Sequence, residues 1–239
     1  MFVVVNCCFV SSLFVCFSGF VMRLAIFDLD NTLLAGDSDH AWGCFLAEVG
    51  AVDGAAHEQA NNQFFDAYKD GTLDIQAYLA FALEPLRVTP LATLLQWRKQ
   101  FLREWIRPMI CDAARELVDR HQRAGDQLLI ITATNRFVTA PIAAELGVRN
   151  LLATEPEMSA GRFTGQAQQP ACFQDGKITC LDAWVSRYRI SLDGACFYSD
   201  SHNDLPLLRR VDEPIAVNAD PELARVASAE GWQQIELKH

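Results

Sequence analysis

Five short apolar runs constrain most strongly how this chain can fold: RLAIFD (23–28), QLLIIT (127–132), NLLAT (150–154), GACFYS (194–199) and PIAV (214–217). Their hydrophobicity is continuous rather than alternating, which marks strands covered on both faces, as in a parallel sheet. Between them the apolar residues fall at helical spacing. DAARELVDRHQRAG, RFVTAPIAAELG and PELARVASAEG end at Gly125, Gly147 and Gly231, and Pro221 stands where a helix should start. Strand and helix in turn predict an α/β fold built on a doubly wound parallel sheet.

One interval departs from that rhythm. Residues 38–108 hold no convincing strand; AWGCFLAEVG, QANNQFFDAYKDG, DIQAYLAFALEPL and PLATLLQWRKQFLREWI read as four helices. About seventy residues are too many for a loop. The expected organisation is therefore a core domain of residues 22–37 and 109–239, with a helical cap at 38–108. EMSAGRFTGQ (157–166) has the glycine spacing of a hairpin or turn.

With 239 residues, 51% of them hydrophobic and 21% charged, the chain has enough material for a full core. Its 30 acids against 20 bases leave a net charge of −10, and it has no lysine or arginine run. This argues against nucleic acid or an anionic membrane as partner. Small anionic substrates remain open, because they respond to the local site and to any bound metal. Eight cysteines are scattered without a C-x-x-C and without cysteine–histidine pairing at zinc spacing. They read as small apolar side chains of a cytoplasmic protein.

Residues 1–21, MFVVVNCCFVSSLFVCFSGFV, carry no charge and are nearly long enough to span a bilayer. They lack the basic start and the cleavage site of a signal peptide. A membrane helix there would run directly into the strand beginning at Arg23. The expectation is a mis-set translation start upstream of Met22, with a membrane anchor as the alternative.

In open α/β sheets, ligands bind beyond the carboxyl ends of the strands. The first strand ends in Asp28-Leu29-Asp30-Asn31-Thr32, the second in Thr132, and the one over 194–199 in Asp200-Ser201-His202-Asn203-Asp204. Lys177 lies near the start of the helix before that last strand. Four carboxylates on one edge require a counter-ion, and Mg²⁺ suits a few hard oxygens together with a substrate phosphate. Thr132 and Lys177 are donors left for the other phosphate oxygens. The economical chemistry is covalent: one aspartate attacks phosphorus, and water cleaves the resulting aspartyl-phosphate.

These residues resemble the motifs of the haloacid dehalogenase superfamily. DLDNT is similar to its D-x-D-x-T, Thr132 to its second motif, Lys177 in DGKI to its third and SDSHNDLPLL to its D-x-x-N-D, in the same order along residues 22–235. The helical insertion resembles the cap of the phosphoserine-phosphatase-like branch. The resemblance implies Asp28 as nucleophile and Asp30 as general acid and then base. Asp28, Asp30 (through its backbone carbonyl) and Asp200 would hold Mg²⁺. Thr132, Lys177 and Asn203 would serve the phosphate, with Asp204 positioning Lys177 or a water. Taken singly, each has an ordinary structural role open to it: strand end, solvated helix residue or helix cap.

Phosphoserine phosphatases of that branch carry an acid nine positions after the nucleophile, against the substrate ammonium. Here that residue is Asp37, which could equally cap the helix starting near Ser38. The cap arginine that meets the substrate carboxylate has no counterpart in GTLDIQAYLAFAL, the nearest being Arg87. A carboxylate buried without a cation is heavily penalised, so an amine-bearing phosphate lacking a carboxylate fits better; histidinol phosphate answers that description, and the branch that this chain resembles includes histidinol phosphatases. His40, Trp42 and Phe45 are available to stack on an imidazole or to pack helices. Phosphoserine and a broad range of small phosphates are the alternative substrates. A phospho-acceptor domain or an inactive phosphate-binding module is the non-enzyme alternative. The first would place its acceptor on a middle strand; the second would be expected to have lost an essential group.

Overall fold

Strand β1 (Leu24–Phe27) is fully buried, and its pleat sends alternate side chains to opposite faces. Ala25 and Phe27 enter one apolar cluster, Leu24 and Ile26 the other. A strand flanked by two cores must lie inside a sheet covered on both sides, as its unbroken hydrophobicity predicts. Residues 23–237 are described by the structure, a computed structural model. Residues 1–21, with the expectation of a mis-set start, lie outside the described residues. Among the described residues no helix is long and apolar enough to cross a membrane.

After β1 come α1 (Ser38–Glu48), α2 (Gly54–Lys69), α3 (Ile75–Val88) and α4 (Leu91–Phe101). A π-helical turn (Leu102–Ile106) and the short α5 (Arg107–Met109) continue α4. Then follow α6 (Asp112–Ala124), β2 (Gln127–Asn135), α7 (Arg136–Glu145) and β3 (Asn150–Thr154). A hairpin of β4 (Pro156–Ser159) and β5 (Arg162–Ala167) stands apart from the main sheet. The chain closes with α8 (Asp175–Tyr188), β6 (Cys196–Ser199), α9 (Leu205–Leu208), β7 (Glu213–Val217), α10 (Pro221–Glu230) and β8 (Gln233–Ile235).

The main sheet has the order β3-β2-β1-β6-β7-β8, and every pairing in it is parallel. The chain first winds outward from β1 through β2 and β3, then returns to the other side of β1 as β6. The crevice at a strand-order reversal is where such sheets bind ligands. Two differences from the sequence reading stand out. β2 runs on to Asn135, three residues past Thr132, and β8 is an extra edge strand. Three residues, of which only Ile235 is partly buried, are too short to show a period.

The core is aromatic around β1. Phe27 stacks on Tyr198 at 5.1 Å and meets the edge of His121 at 5.5 Å. His121 is buried but satisfied: Nδ1 pairs with Asp126 Oδ2 at 2.6 Å and Nε2 with the Tyr198 hydroxyl at 2.9 Å. Truncating a wholly buried phenylalanine such as Phe27 costs about 3–5 kcal/mol, so this packing fixes the strand that carries the site.

Candidate active site

Asp28 is the first residue past β1, yet its N–H still donates to the Tyr198 carbonyl at 2.9 Å. The carboxylate therefore leaves from a backbone held as rigidly as the strand. The chain then reverses: Asn31 adopts φ +56°, a left-handed conformation that asparagine tolerates, and its N–H bonds the Gly36 carbonyl at 2.9 Å. The reversal brings the start of α1 back over the strand end. There the Ser38 N–H donates to Asp30 Oδ1 at 2.6 Å. Asp30 Oδ2 accepts from Thr134 Oγ1 at 2.8 Å and from Thr132 Oγ1 at 3.3 Å. The Asp30 side chain is thus turned toward α1 and β2.

Lys177 is 2% exposed and joins two carboxylates. Its Nζ lies 2.7 Å from Asp28 Oδ1 and 2.7 Å from Asp204 Oδ1. Ser199 Oγ donates to Asp204 Oδ2 at 2.7 Å, so Asp204 is anchored from the end of the strand that precedes it as well. The lysine reaches this position through a tight turn before α8. A Cβ on Gly176 would run into the Ala171 carbonyl, so only glycine fits. Burial alone would lower the Lys177 pKa, but the Asp204 and Asp28 carboxylates outweigh it and hold the ammonium above the usual lysine range.

Burial pushes Asp28 up to about 7; Lys177 opposes the shift, while Asp204 and Asp30 add to it. Asp200 is raised well above the ordinary range by burial first and by Asp28 next, against a hydrogen bond from Thr32 Oγ1 at 2.9 Å. Two acids that repel each other, one of them met only by neutral donors, form a site short of positive charge. Their hard oxygens fit a divalent cation. No group of three or more histidine, cysteine, aspartate or glutamate side chains poised for a metal occurs among the described residues. That accords with the orientation of Asp30, whose side chain is occupied by Ser38, Thr132 and Thr134, so only its backbone carbonyl is left for such an ion.

Asn203 sits at the same edge, but its amide is occupied. Nδ2 donates to the Tyr68 carbonyl at 3.0 Å and Oδ1 accepts from Gln174 Nε2 at 2.9 Å. It ties α2 to the loop after β6. Nearby, Gly71 at φ +69° approaches His202 so closely that a Cβ would lie 2.8 Å from Nε2. Together they close the turn after α2 onto the sheet edge.

Between the helical interval and that edge lies a narrow cleft, lined by Asp28, Asp30 and Thr132 below and by Asp37, Asp39 and Tyr78 above. Asp37 caps α1, accepting from the Asp39 N–H at 2.9 Å and the His40 N–H at 2.8 Å. Both bonds go to Oδ1, leaving Oδ2 to the cleft. Burial pushes its carboxyl well up, as does neighbouring Asp30. No arginine or lysine lines the cleft among the described residues. Arg87 instead pairs with Glu84, its chain against Gly165 of the hairpin. Lys69, 3.8 Å from the Phe65 ring centroid, borders a neighbouring groove. Of the aromatic candidates, His40 faces the cleft and stacks on Phe65 at 4.6 Å, whereas Trp42 and Phe45 are buried against Phe101.

Sequence reasoning missed Thr134, Asp39 and Tyr78. Thr134 lies two residues after Thr132, hence on the same side of β2, and strand periodicity would have found it. Asp39 and Tyr78 come together from different helices, and no local pattern signals that.

Residues 25–209 match the model of the haloacid dehalogenase-like hydrolase family. A histidinol-phosphatase of Neisseria meningitidis serogroup C (strain 8013) is 44% identical over 220 residues, covering 90% of this chain and 99% of the relative. The phosphoserine phosphatase SerB1 of Mycobacterium tuberculosis (strain ATCC 25618 / H37Rv) is 33% identical over 214 residues, 87% of this chain and 69% of that one. A crystal structure of a protein of unknown function from Bordetella pertussis Tohama I superposes with TM-score 0.85 at 42% identity, covering 90% of this chain and 98% of that one. A substrate-bound phosphoserine phosphatase shares the fold, with TM-score 0.67 at 18% identity over 91% and 93% of the two chains.

Proposed function

This chain is a phosphatase of the haloacid dehalogenase-like hydrolase family, and from that premise we propose that it hydrolyses histidinol phosphate with Mg²⁺ as cofactor. The observation that carries the substrate reading is the charge of the cleft away from the phosphate end: beyond Asp28 and Asp30 it adds two more carboxylates, Asp37 and Asp39, and no lysine or arginine is among its lining residues. Histidinol phosphate offers a phosphate, an ammonium and an imidazole, and no carboxylate that would need a cation. The histidinol-phosphatase at 44% identity supports the same choice. Residues 38–108 serve as the cap that selects the substrate, since the phosphate site itself is generic.

In this mechanism Asp28, held by Lys177 and by its strand-paired backbone, attacks phosphorus and displaces the alcohol. Asp30 gives its proton to the leaving alkoxide and then takes one from the water that cleaves the aspartyl-phosphate. Its hydrogen bonds from Ser38, Thr132 and Thr134 hold it in line for both transfers. When the substrate enters, Lys177 gives up Asp28 but not Asp204, and Thr132 gives up its long 3.3 Å contact with Asp30, each for a phosphate oxygen, leaving Ser38 and Thr134 to hold Asp30. Asn203 lies within the same shell, and Asp204 keeps Lys177 in place. Asp28, the Asp30 carbonyl and Asp200 would hold Mg²⁺, which supplies positive charge to offset the crowded carboxylates and the phosphate.

Phosphate release from histidinol phosphate, phosphoserine and an aryl phosphate, measured with Mg²⁺, tests the reading. The expected order of kcat/KM places histidinol phosphate first, and a preference for phosphoserine would overturn it. Asp37→Asn keeps a competent helix cap. It should nonetheless reduce the preference for histidinol phosphate over the aryl phosphate by about ten- to a hundredfold, the worth of one charge-assisted hydrogen bond. Equal, small losses on both substrates would reduce Asp37 to a cap alone.

A further inference from the structure

We propose that Asp39 and Tyr78 form a second recognition point in the cleft, one that reads the imidazole of the substrate while Asp37 reads its amine. This rests on the histidinol phosphate reading and adds the residues that distinguish that substrate from other amine-bearing phosphates.

The two acids of α1 have different local duties. Asp37 has a structural reason to be present, because its Oδ1 caps the helix. Asp39 has none of that kind: its own N–H is one of the capped groups, and its side chain points into the cleft. It is gripped from two other elements, by the Tyr78 hydroxyl of α3 and by Asn135 Nδ2 at 3.4 Å, at the end of β2. A half-buried carboxylate fixed by two neutral donors is oriented but not neutralised. Burial raises it to about 7, with Asp30 adding to the shift and Tyr78 opposing it. Such a group is best satisfied by an N–H donor or a cation arriving from the cleft.

The walls agree with a flat aromatic guest. Phe64 meets Tyr78 edge-on at 5.4 Å, and Phe65 on the same helix stacks on His40 at 4.6 Å. In histidinol phosphate the ammonium and the methylene that carries the imidazole leave the same carbon in different directions. One carboxylate cannot meet both, whereas two acids two residues apart on the first turn of α1 can. The positive end of that helix also favours a pair of anions there. Tyr78 contributes a hydroxyl that keeps Asp39 aimed once the ring nitrogen has bound.

The test compares histidinol phosphate with phosphoethanolamine, which keeps the amine and lacks the ring. The quantity read is the ratio of their kcat/KM values in the wild type, Asp39→Asn, Tyr78→Phe and Asp37→Asn. Asp39→Asn should lower the ratio by about ten- to a hundredfold. Tyr78→Phe should lower it in the same direction by less, and Asp37→Asn should leave it within about threefold, because both substrates present the amine. Histidinol without its phosphate should inhibit the wild type competitively and lose affinity in Asp39→Asn, a binding readout independent of turnover. A residue that only holds α1 to α3 would weaken both substrates alike and leave the ratio unchanged, which would overturn the inference. If the wild type shows no preference for histidinol phosphate over phosphoethanolamine, the substrate reading fails together with it. If the preference exists and Asp39→Asn preserves it, this inference alone fails.

Discussion

At the residue scale, the site is governed by how each carboxylate is partnered. Asp28 and Asp30 stand one residue apart, yet Asp28 faces Lys177 and Asp30 faces hydroxyls and an N–H. That division suits the proposed roles of Asp28 as nucleophile and Asp30 as proton carrier. Asp28→Asn should abolish turnover, because an amide is no nucleophile toward phosphorus; wild-type-like phosphate release would remove the covalent mechanism. Asp30→Asn should retain the fold and slow turnover by roughly 10²- to 10⁴-fold, the usual worth of general acid–base help. Its three donors can still meet the amide oxygen only in part, so a small loss of Tm is expected alongside. A variant turning over as fast as the wild type would assign the proton transfers elsewhere.

At the scale of elements, the turn after α2 determines how the helices meet the sheet edge. Asn203 bonds the last turn of α2, and Gly71 lies against His202, which is itself held by Asp220 at 2.7 Å. Gly71→Val forces a β-branched side chain into φ +69° and into the His202 ring. Strain of this kind costs about 1–3 kcal/mol. The expected result is a higher KM for every phosphate tested, with the selectivity ratios unchanged, because the turn moves as a body while Asp37 and Asp39 stay on α1. A change confined to histidinol phosphate would show instead that this turn touches the substrate.

At the scale of the whole molecule, Asp28 from β1 and Asp200 from the loop after β6 are brought together only when the parallel sheet forms, so a cation bound between them stabilises the native state alone. Mg²⁺ at about a hundredfold over its Kd should add about 2.7 kcal/mol, or roughly 5–10 °C in Tm for a chain of this size. Asp200→Asn should abolish that rise, and chelation should abolish activity reversibly. A Tm indifferent to Mg²⁺ in the wild type would count against the proposed ion site.

The sequence by itself determined the fold class and the edge at which the inner strands deliver their polar residues, though not the full length of β2 or the presence of β8. Continuous apolar runs of four to six residues alternating with helical periods fit inner strands of a parallel sheet, and such a sheet presents Asp28, Thr132 and Asp200 at one edge whatever surrounds them. Helical spacing likewise marked α1 to α4 before any packing was known, because an amphipathic period is local. The tertiary structure alone decided the partners: that Lys177 bridges Asp28 and Asp204, that Thr134 joins Thr132 on Asp30, and that Asn203 serves the Tyr68 carbonyl. It alone brought Tyr78 from α3 to Asp39 on α1. These are contacts between residues up to 149 positions apart, as for Lys177 and Asp28. No period or motif encodes such a pairing, because it depends on how helices with interchangeable apolar faces settle against one another.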